Sequence, residues 1–315
     1  MPNYSGSWNL VQQMQAVAAS NWPVVLAPGT VGIFALGVVS GAASTTRNKY
    51  RFSDCSNASA TAASAASYLG SAAGNSTVGI FALGNTGSAA STIRDKYTYS
   101  GCVNGSATAA SAASYLGSAA GNSIVGIFAL GIVSSAASTT RDKYTYSGCT
   151  NVSATAASAT SCGGSAAGNS TVGIFALGGA GTTRNKYTYS GDTNATATAA
   201  SAASYGGAAT GNSTVGIFAL GCTTGCNGST IRNKYTYSGC VNATATASSA
   251  NSFDGSAAGN STVGIFALGY VTGIGKSTTR NKYTYSGCVN ATATASSVVS
   301  QFGSAASNGT TGVNV

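Results

Sequence analysis

Two patterns of hydrophobic and polar residues recur along the chain, and they predict two kinds of β-strand. Residues 77–84 (TVGIFALG) are apolar at consecutive positions, which is typical of a strand buried on both faces. Residues 94–100 (RDKYTYS) alternate instead: Arg94 and Lys96 fall on one side, and Tyr97 and Tyr99 on the other. Such alternation predicts a half-buried strand. The small polar link NTGSAAST between the two segments favours a hairpin.

A third pattern follows each alternating segment. Residues 106–123 (SATAASAASYLGSAAGNS) are rich in Ala, but their Ser, Thr and Gly lower helix propensity. We expect two short strands around a tight loop at residues 115–117, with a short helix as the alternative. This gives four strands per unit. Four antiparallel strands with a central apolar strand describe a propeller blade, and a β-solenoid is the alternative architecture.

The units form an array that covers almost the whole chain. The motif GIFALG begins at spacings of 47, 47, 47, 43 and 48 residues, a period typical of propellers and solenoids. Its first glycines are Gly32, Gly79, Gly126, Gly173, Gly216 and Gly264. We therefore predict one repeat domain over residues 1–315, with an N-terminal closing segment (1–29), six repeats (30–299) and a C-terminal closing segment (300–315).

Partial repeats at the two ends predict how the array closes. Tyr4-Ser5-Gly6 matches the Tyr-Ser-Gly element of the repeats, and residues 310–313 (TTGV) match a strand entry. We predict an all-β, kelch-like propeller of seven four-stranded blades, in which the two ends share the seventh blade and residues 310–315 pair with residues 3–9. Shared closure removes free sheet edges. The alternative is six blades with an amphipathic N-terminal helix through Trp8, Val11 and Met14.

Composition argues against catalysis. The 315-residue chain has no His, its five acidic residues are all Asp, and only 6% of its residues are charged. General acid–base chemistry usually needs His or paired carboxylates. A zinc site without His would need four Cys, and only one closely spaced pair, Cys222 and Cys226, is present. We expect a protein that is not an enzyme and needs no cofactor or metal. The sequence also predicts no signal peptide and no membrane insertion.

The net charge of +9 is concentrated at one repeated place. In a ring of blades, equivalent positions form a circle, which we name the basic girdle. Its functional interpretation is a ligand-binding surface for anionic glycans or for the acidic surface of a partner. In the structural alternative, these side chains pair with Asp95 or Asp142, bond to the next blade or simply solvate the rim. Nucleic acid is disfavoured because no recognition helix or aromatic platform accompanies the charges. The girdle comprises Arg47, Lys49, Arg94, Lys96, Arg141, Lys143, Arg184, Lys186, Arg232, Lys234, Arg280 and Lys282.

Cysteines and variable loops complete the candidates. Five Cys share one repeat position, which Asp192 fills in the remaining copy, and equivalent sites on different blades are too far apart for disulfides. We expect these Cys to be small packing residues. The loops that follow GIFALG vary most, and loops on a rigid scaffold commonly carry binding sites. The five Cys are Cys55, Cys102, Cys149, Cys240 and Cys288.

The repeats resemble degenerate kelch repeats. Phe-Ala-Leu-Gly, which extends to Phe-Ala-Leu-Gly-Gly at residues 175–179, is followed by a variable loop, Arg-x-Lys-Tyr-x-Tyr and a late Ala-Ser-Ala-Ala-Ser-Tyr. The di-glycine of kelch blades is complete only at Gly178-Gly179, and the blade Trp is missing from the repeats. The resemblance implies a propeller without assigning a function.

The chain also resembles repeat proteins of bacteriophage genomes. Tyr4-Ser-Gly-Ser-Trp8-Asn-Leu and Ser20-Asn-Trp-Pro23, joined to the GIFALG repeats, carry this resemblance. It implies a structural or receptor-contacting virion component of the tail or fibre type, assembled in the host cytoplasm, that contacts other virion proteins, copies of itself or host surface glycans. The alternative is a free, extracellular, lectin-like adhesive protein.

Overall fold

The computed structural model describes residues 30–87, 89–223 and 227–309, which form β-strands, turns and loops. Six antiparallel sheets of four strands dominate this part of the chain. We number the sheets 1 to 6 in the chain order of their GIFALG strands. Each sheet has four strands that pair in the same order. They are the inner strand, the GIFALG strand, the strand that begins with Arg, which we call the arginine strand, and the outer strand. The all-β prediction is confirmed, and so is the prediction of four strands per unit.

The bounds of these strands repeat closely from sheet 1 to sheet 6. The inner strands are Ser304–Ser307, Ser71–Gly74, Ser118–Gly121, Ser165–Gly168, Ala208–Gly211 and Ser256–Gly259. The GIFALG strands are Val31–Ala35, Val78–Ala82, Val125–Ala129, Val172–Ala176, Val215–Ala219 and Val263–Ala267. The arginine strands are Arg47–Arg51, Arg94–Thr98, Arg141–Thr145, Arg184–Thr188, Arg232–Thr236 and Arg280–Thr284. The outer strands are Asn57–Ala60, Val103–Ala107, Thr150–Ala154, Thr193–Ala197, Val241–Ala245 and Val289–Ala293.

Four small sheets of three short strands lie beside the large ones. In each, the link after GIFALG folds back as the predicted hairpin, and a strand from the Ala/Ser-rich segment pairs with it. That segment forms the predicted short strands on either side of a tight loop, and the alternative short helix is absent from it. The small sheets are Val38–Val39 with Ala42–Ala43 and Ser300–Gln301; Asn85–Thr86 with Ala89–Ala90 and Ser67–Tyr68; Ile132–Val133 with Ala136–Ala137 and Ser114–Tyr115; and Tyr270–Val271 with Gly275–Lys276 and Ser252–Phe253.

The GIFALG strands are buried on both faces, as their continuous apolar pattern predicts. Ile80 and Phe81 point to opposite faces of sheet 2, and both are fully buried. The neighbouring sheets approach closely because the motif carries a glycine. A Cβ added at Gly126 would lie 3.1 Å from the Ala73 Cβ of the preceding sheet and 2.8 Å from the Tyr146 hydroxyl oxygen. Any larger residue there would push the sheets apart.

The arginine strands are more deeply buried than their alternation predicts. Arg94 and Asp95 are both buried, Tyr97 lies in the core, and Lys96 and Thr98 keep partial exposure. The predicted alternation is seen from Lys96 to Ser100 and fails only at Arg94, because a neighbouring sheet covers that end of the arginine side. A buried guanidinium needs partners, and the next sheet provides them.

The six sheets close into a ring. Each inner strand contacts the inner strands of the sheets on either side, and the succession returns from sheet 6 to sheet 1. Ser304–Ser307 is the inner strand of sheet 1 and pairs with Val31–Ala35 near the other end of the described chain. This arrangement is consistent with a β-propeller.

The predicted seventh blade is not confirmed. Residues 304–307, which the prediction places in that blade, instead complete sheet 1 beside the first GIFALG strand. The physical reason is that residues 1–30 contain neither SAAG nor SAAS, and the last SAAS segment fills that edge of sheet 1. The predicted pairing of residues 310–315 with 3–9 and the alternative helix through Trp8 lie outside the described residues.

Candidate functional site

The six girdle arginines form a buried ring that links neighbouring sheets. Each guanidinium donates one hydrogen bond to an Asn of the next outer strand and another to the residue after the Arg of the next sheet. In sheet 1, Arg47 Nη1 donates to Asn104 Oδ1 at 2.7 Å, and its Nη2 lies 2.8 Å from Asp95 Oδ2. From sheet 6, Arg280 donates to Asn57 and Asn48 of sheet 1, which closes the circle. We call this set the arginine ring: Arg47, Arg94, Arg141, Arg184, Arg232 and Arg280.

Carboxylates accompany only two members of the arginine ring. Asp95 and Asp142 pair with Arg47 and Arg94, and all four side chains are fully buried. We call each contact between neighbouring sheets a seam. Asn residues take the place of the carboxylates at the other four seams. Each guanidinium also lies over a Phe of the next sheet, at 4.4 to 4.6 Å from the ring centre. Burial lowers the pKa of Arg141 to about 10, so it remains protonated at neutral pH.

The arginines therefore cannot act as the ligand-binding half of the basic girdle in this structure. Arg184 and Arg280, for example, are inaccessible to solvent. The structural alternative describes them correctly, because they pair with Asp95, Asp142 or amides of the next sheet. The girdle lysines are only partly buried. Anion binding by these lysines stays a prediction.

The inner strands of the six sheets line a central channel. A circle of backbone hydrogen bonds surrounds one end of this channel. At each of six equivalent positions, the N–H donates to the carbonyl oxygen of the preceding position at 2.7 to 3.0 Å, and the circle is complete. All six residues have φ between 55° and 61°, a region that costs non-glycine residues about 1 kcal/mol or more. We call this circle the collar: Leu69, Leu116, Gly163, Gly206, Asp254 and Phe302.

Side chains differ around the collar, so the mouth of the channel is asymmetric. Leu69, Leu116 and Phe302 make one side apolar, whereas Gly163 and Gly206 have no side chain on the other. A Cβ added at Gly206 would collide with the Asp254 carboxylate, which occupies that space.

Asp254 is the one acidic member of the collar. Only 7% of the surface of this residue is exposed to solvent. Burial raises the pKa of this carboxyl to about 7. Ionisation at neutral pH is therefore incomplete, and the charge at the channel mouth depends on pH.

Below the collar, the channel is lined by small residues from the starts of the inner strands. The cavity measures about 60 Å³. Five of the six equivalent lining positions are serines and the sixth is Ala208; the serines are Ser71, Ser118, Ser165, Ser256 and Ser304.

Aromatic residues lie next to the collar positions in the chain. Tyr68, Tyr115, Tyr205 and Phe253 each directly precede a collar residue, and all four are partly exposed. Tyr270 pairs across a small sheet with Phe253, at 4.9 Å between ring centres. The ring of Phe302 lies 6.3 Å from that of Tyr68. We call these six residues the aromatic crown: Tyr68, Tyr115, Tyr205, Phe253, Tyr270 and Phe302.

The variable loops after GIFALG lie beside the crown. Asn85–Thr86 pairs with Ser67–Tyr68, and Ile132–Val133 pairs with Ser114–Tyr115. The prediction that these loops are candidate binding elements therefore places them next to exposed aromatic rings. The crown itself was missed in the sequence. Its signal is a repeated aromatic residue a few positions before SAAG, as at Tyr68 and Tyr115, where the sequence pattern predicts only a tight loop.

Two features of other functional classes are missing from the described residues. Within residues 30–87, 89–223 and 227–309, no group of three or more His, Cys, Asp or Glu is placed to hold a metal ion. The same part of the chain has no helix that is long and apolar enough to cross a membrane.

Comparisons with known proteins support the fold but not a function. The chain matches no protein-family model, and no curated protein matches its sequence. Among solved structures it is similar to TolB from Acinetobacter baumannii, with a TM-score of 0.58 and 10% identity over 93% of this chain and 71% of that one. A likeness at this identity concerns the fold alone, and it supports a β-propeller-like architecture.

Proposed function

We propose that the protein is a non-enzymatic propeller that binds host surface glycans through the aromatic crown. We infer that its scaffold is a ring of six blades, with the C-terminal strand completing the first. The observation that carries the binding proposal is the crown: partly exposed aromatic residues lie next to the collar in the chain and pair with the most variable loops. A sugar ring has a C–H face that packs on an aromatic ring, and hydroxyl groups that bond to nearby polar groups.

The charge distribution favours neutral glycans over the anionic glycans predicted from the girdle. Six of the fourteen basic residues belong to the buried arginine ring and cannot meet a ligand. Asp254 at the mouth becomes negatively charged as the pH rises through about 7 and would then repel an anionic sugar. Stacking on neutral sugars is insensitive to salt, whereas anion binding weakens as salt is added.

A glycan array tests the proposal. Wild-type protein should bind a set of neutral glycans, and the double substitution Tyr68→Ala and Tyr115→Ala should lose at least tenfold in affinity. The matched control is Val241→Ala with Val289→Ala, which truncates two exposed side chains on outer strands away from the crown. Absence of glycan binding by the wild type, or equal binding by the crown variant, would refute the proposal.

We place the protein in a virion, as a tail or fibre component. This part of the proposal is supported by the resemblance of the repeats and of the N-terminal motifs to bacteriophage repeat proteins. Quantitative mass spectrometry of washed particles should find the protein in fixed proportion to other virion proteins. Recovery only in the medium would favour the alternative, a free lectin-like adhesive protein.

A further inference from the structure

Five seams between neighbouring sheets bring a lysine and a cysteine together. At each, the girdle lysine of one arginine strand donates from Nζ to the Sγ of a cysteine in the next sheet, at 3.5 to 3.7 Å. These are the cysteines that the sequence placed at one repeat position. The pairs are Lys49 with Cys102, Lys96 with Cys149, Lys186 with Cys240, Lys234 with Cys288, and Lys282 with Cys55.

The backbone at these cysteines is strained. Their φ angles lie between 49° and 57°, a left-handed conformation in which Gly, Asn and Asp are much commoner than Cys. The remaining seam shows the less strained solution, because Asp192 has φ of 50° and its carboxylate lies 3.2 Å from Lys143 Nζ. Strained residues that recur at one place commonly serve a chemical role. A small filler, which the sequence predicts, does not explain cysteine at this backbone position.

The surroundings of each thiol suit oxidation. Cys102 is partly exposed, so a small oxidant can reach it. Its Sγ accepts a hydrogen bond from the Lys49 ammonium and lies 3.7 Å from the carbonyl oxygen of Tyr99. Peroxide converts an accessible thiol to a sulfenic acid, and the lysine nitrogen lies close enough to the sulfur to react with it.

We propose that these five seams are sites of oxidative cross-linking between lysine and cysteine, driven by a peroxide. Hydrogen peroxide first converts the thiol to a sulfenic acid and releases water, so sulfur is oxidised and peroxide is reduced. The lysine loses a proton to solvent, and its amine then attacks the oxidised sulfur. A sulfur–nitrogen bond forms, the sulfur–oxygen bond breaks, and the oxygen leaves as water.

A second peroxide gives the oxygen-retaining form of the same link. In that case the amine nitrogen is oxidised, a nitrogen–oxygen bond forms to the sulfenic oxygen, and two molecules of water are released. Either link joins one sheet covalently to the next. Links at all five seams would leave only the Lys143–Asp192 seam without a covalent bond.

Peptide mapping by mass spectrometry tests the proposal. The protein should carry Cys222→Ser and Cys226→Ser, since that closely spaced pair could otherwise form a disulfide. After peroxide treatment of the folded protein, we expect five cross-linked peptide pairs. Each should have lost two hydrogens, with or without one added oxygen, and each should revert on reduction with a thiol. Cys162, which has no girdle lysine as partner, should form no such link.

Matched variants make the test specific. Lys49→Arg keeps the positive charge but lacks a primary amine, so it should abolish one link and leave the other four as internal controls. Asp192→Cys should add a sixth link, to Lys143. The proposal is overturned if the seam cysteines are recovered as sulfinic or sulfonic acids with free lysines, or if Lys49→Arg leaves its link intact.

Discussion

Replacing single members of the arginine ring should reveal which seams depend on an ion pair. Arg94→Leu and Arg232→Leu form a matched pair of substitutions. Both guanidiniums are buried, both lie about 4.5 Å from a Phe ring centre, and both donate to an outer-strand Asn at 2.8 Å. They differ at one partner: Arg94 pairs with the Asp142 carboxylate at 2.8 Å, whereas Arg232 donates to the Asn281 amide oxygen at 3.2 Å.

The expected losses follow from what each substitution leaves behind. Arg94→Leu leaves the Asp142 carboxylate buried without its cation, and breaking a buried ion pair in this way costs about 3–5 kcal/mol. Ser111 and Asn151 still donate hydrogen bonds to that carboxylate, which places the loss toward the lower end. Arg232→Leu removes one donor from the neutral Asn281 amide oxygen, to which Ser249 and Asn290 still donate, so the loss should be toward the lower end of about 1–3 kcal/mol. The first variant should therefore lose about 2 kcal/mol more.

Equilibrium urea unfolding of the wild type and both variants measures this difference. The free energy of unfolding should fall in both variants and further in Arg94→Leu. Equal losses in the two variants, or a larger loss in Arg232→Leu, would refute the view that the carboxylate partner distinguishes the seams.

Three further substitutions test other parts of the structure. Burial raises the pKa of Asp254 to about 7 from its ordinary 3.8, so ionisation of this carboxyl opposes folding. The free energy of unfolding should therefore fall by up to about 4 kcal/mol as the pH rises from about 4 through 7. Thermal unfolding of Asp254→Asn across this range should lack that fall; an unchanged profile would contradict the assignment. Asn233→Asp should give Arg184 the carboxylate that Arg47 already has and stabilise the fold by roughly 1 kcal/mol in urea unfolding; destabilisation would show that the added charge is not compensated. Cys288→Asp, which reproduces the Lys143–Asp192 seam at another position, should relieve strain, pair with Lys234 and add about 0.5–1 kcal/mol; a lower urea midpoint would count against strain at the cysteine.

The sequence predicts the strands well because their patterns are local. Continuous apolar residues in GIFALG indicate burial on both faces, and Ile80 and Phe81 are indeed fully buried. The link NTGSAAST contains its own turn residues and forms the predicted hairpin. These features depend on side-chain periodicity and turn chemistry, both of which can be inferred from a few neighbouring residues.

The closure was harder to predict because it depends on long-range pairing. Counting Tyr-Ser-Gly elements suggested seven blades. The incomplete units give a different indication: the first GIFALG motif has no SAAG segment before it, and the last SAAS segment at residues 304–307 has no GIFALG after it. These two incomplete units complement each other within sheet 1.

The arginines were misassigned because alternation in one strand does not show what covers it. Arg94 has the sequence pattern of an exposed face, yet Asp142 and Asn151 of the next sheet enclose it. Arg94 and Asp142 are 48 residues apart, which is one repeat plus one residue. This spacing indicates a contact between them only when neighbouring sheets are known to pack face to face. The crown was missed for a similar reason, since contacts such as that between Tyr68 and Phe302 join residues far apart in the chain.

The salt dependence of glycan binding by the wild-type protein tests the central claim most directly. If the crown binds neutral sugars by stacking, the array should show binding to neutral glycans. The strength of this binding should not change when sodium chloride is raised from about 0.1 M to about 1 M, where charge screening is nearly complete. Signals confined to anionic glycans, and lost in the higher salt, would contradict this account and return the binding site to the lysines of the basic girdle.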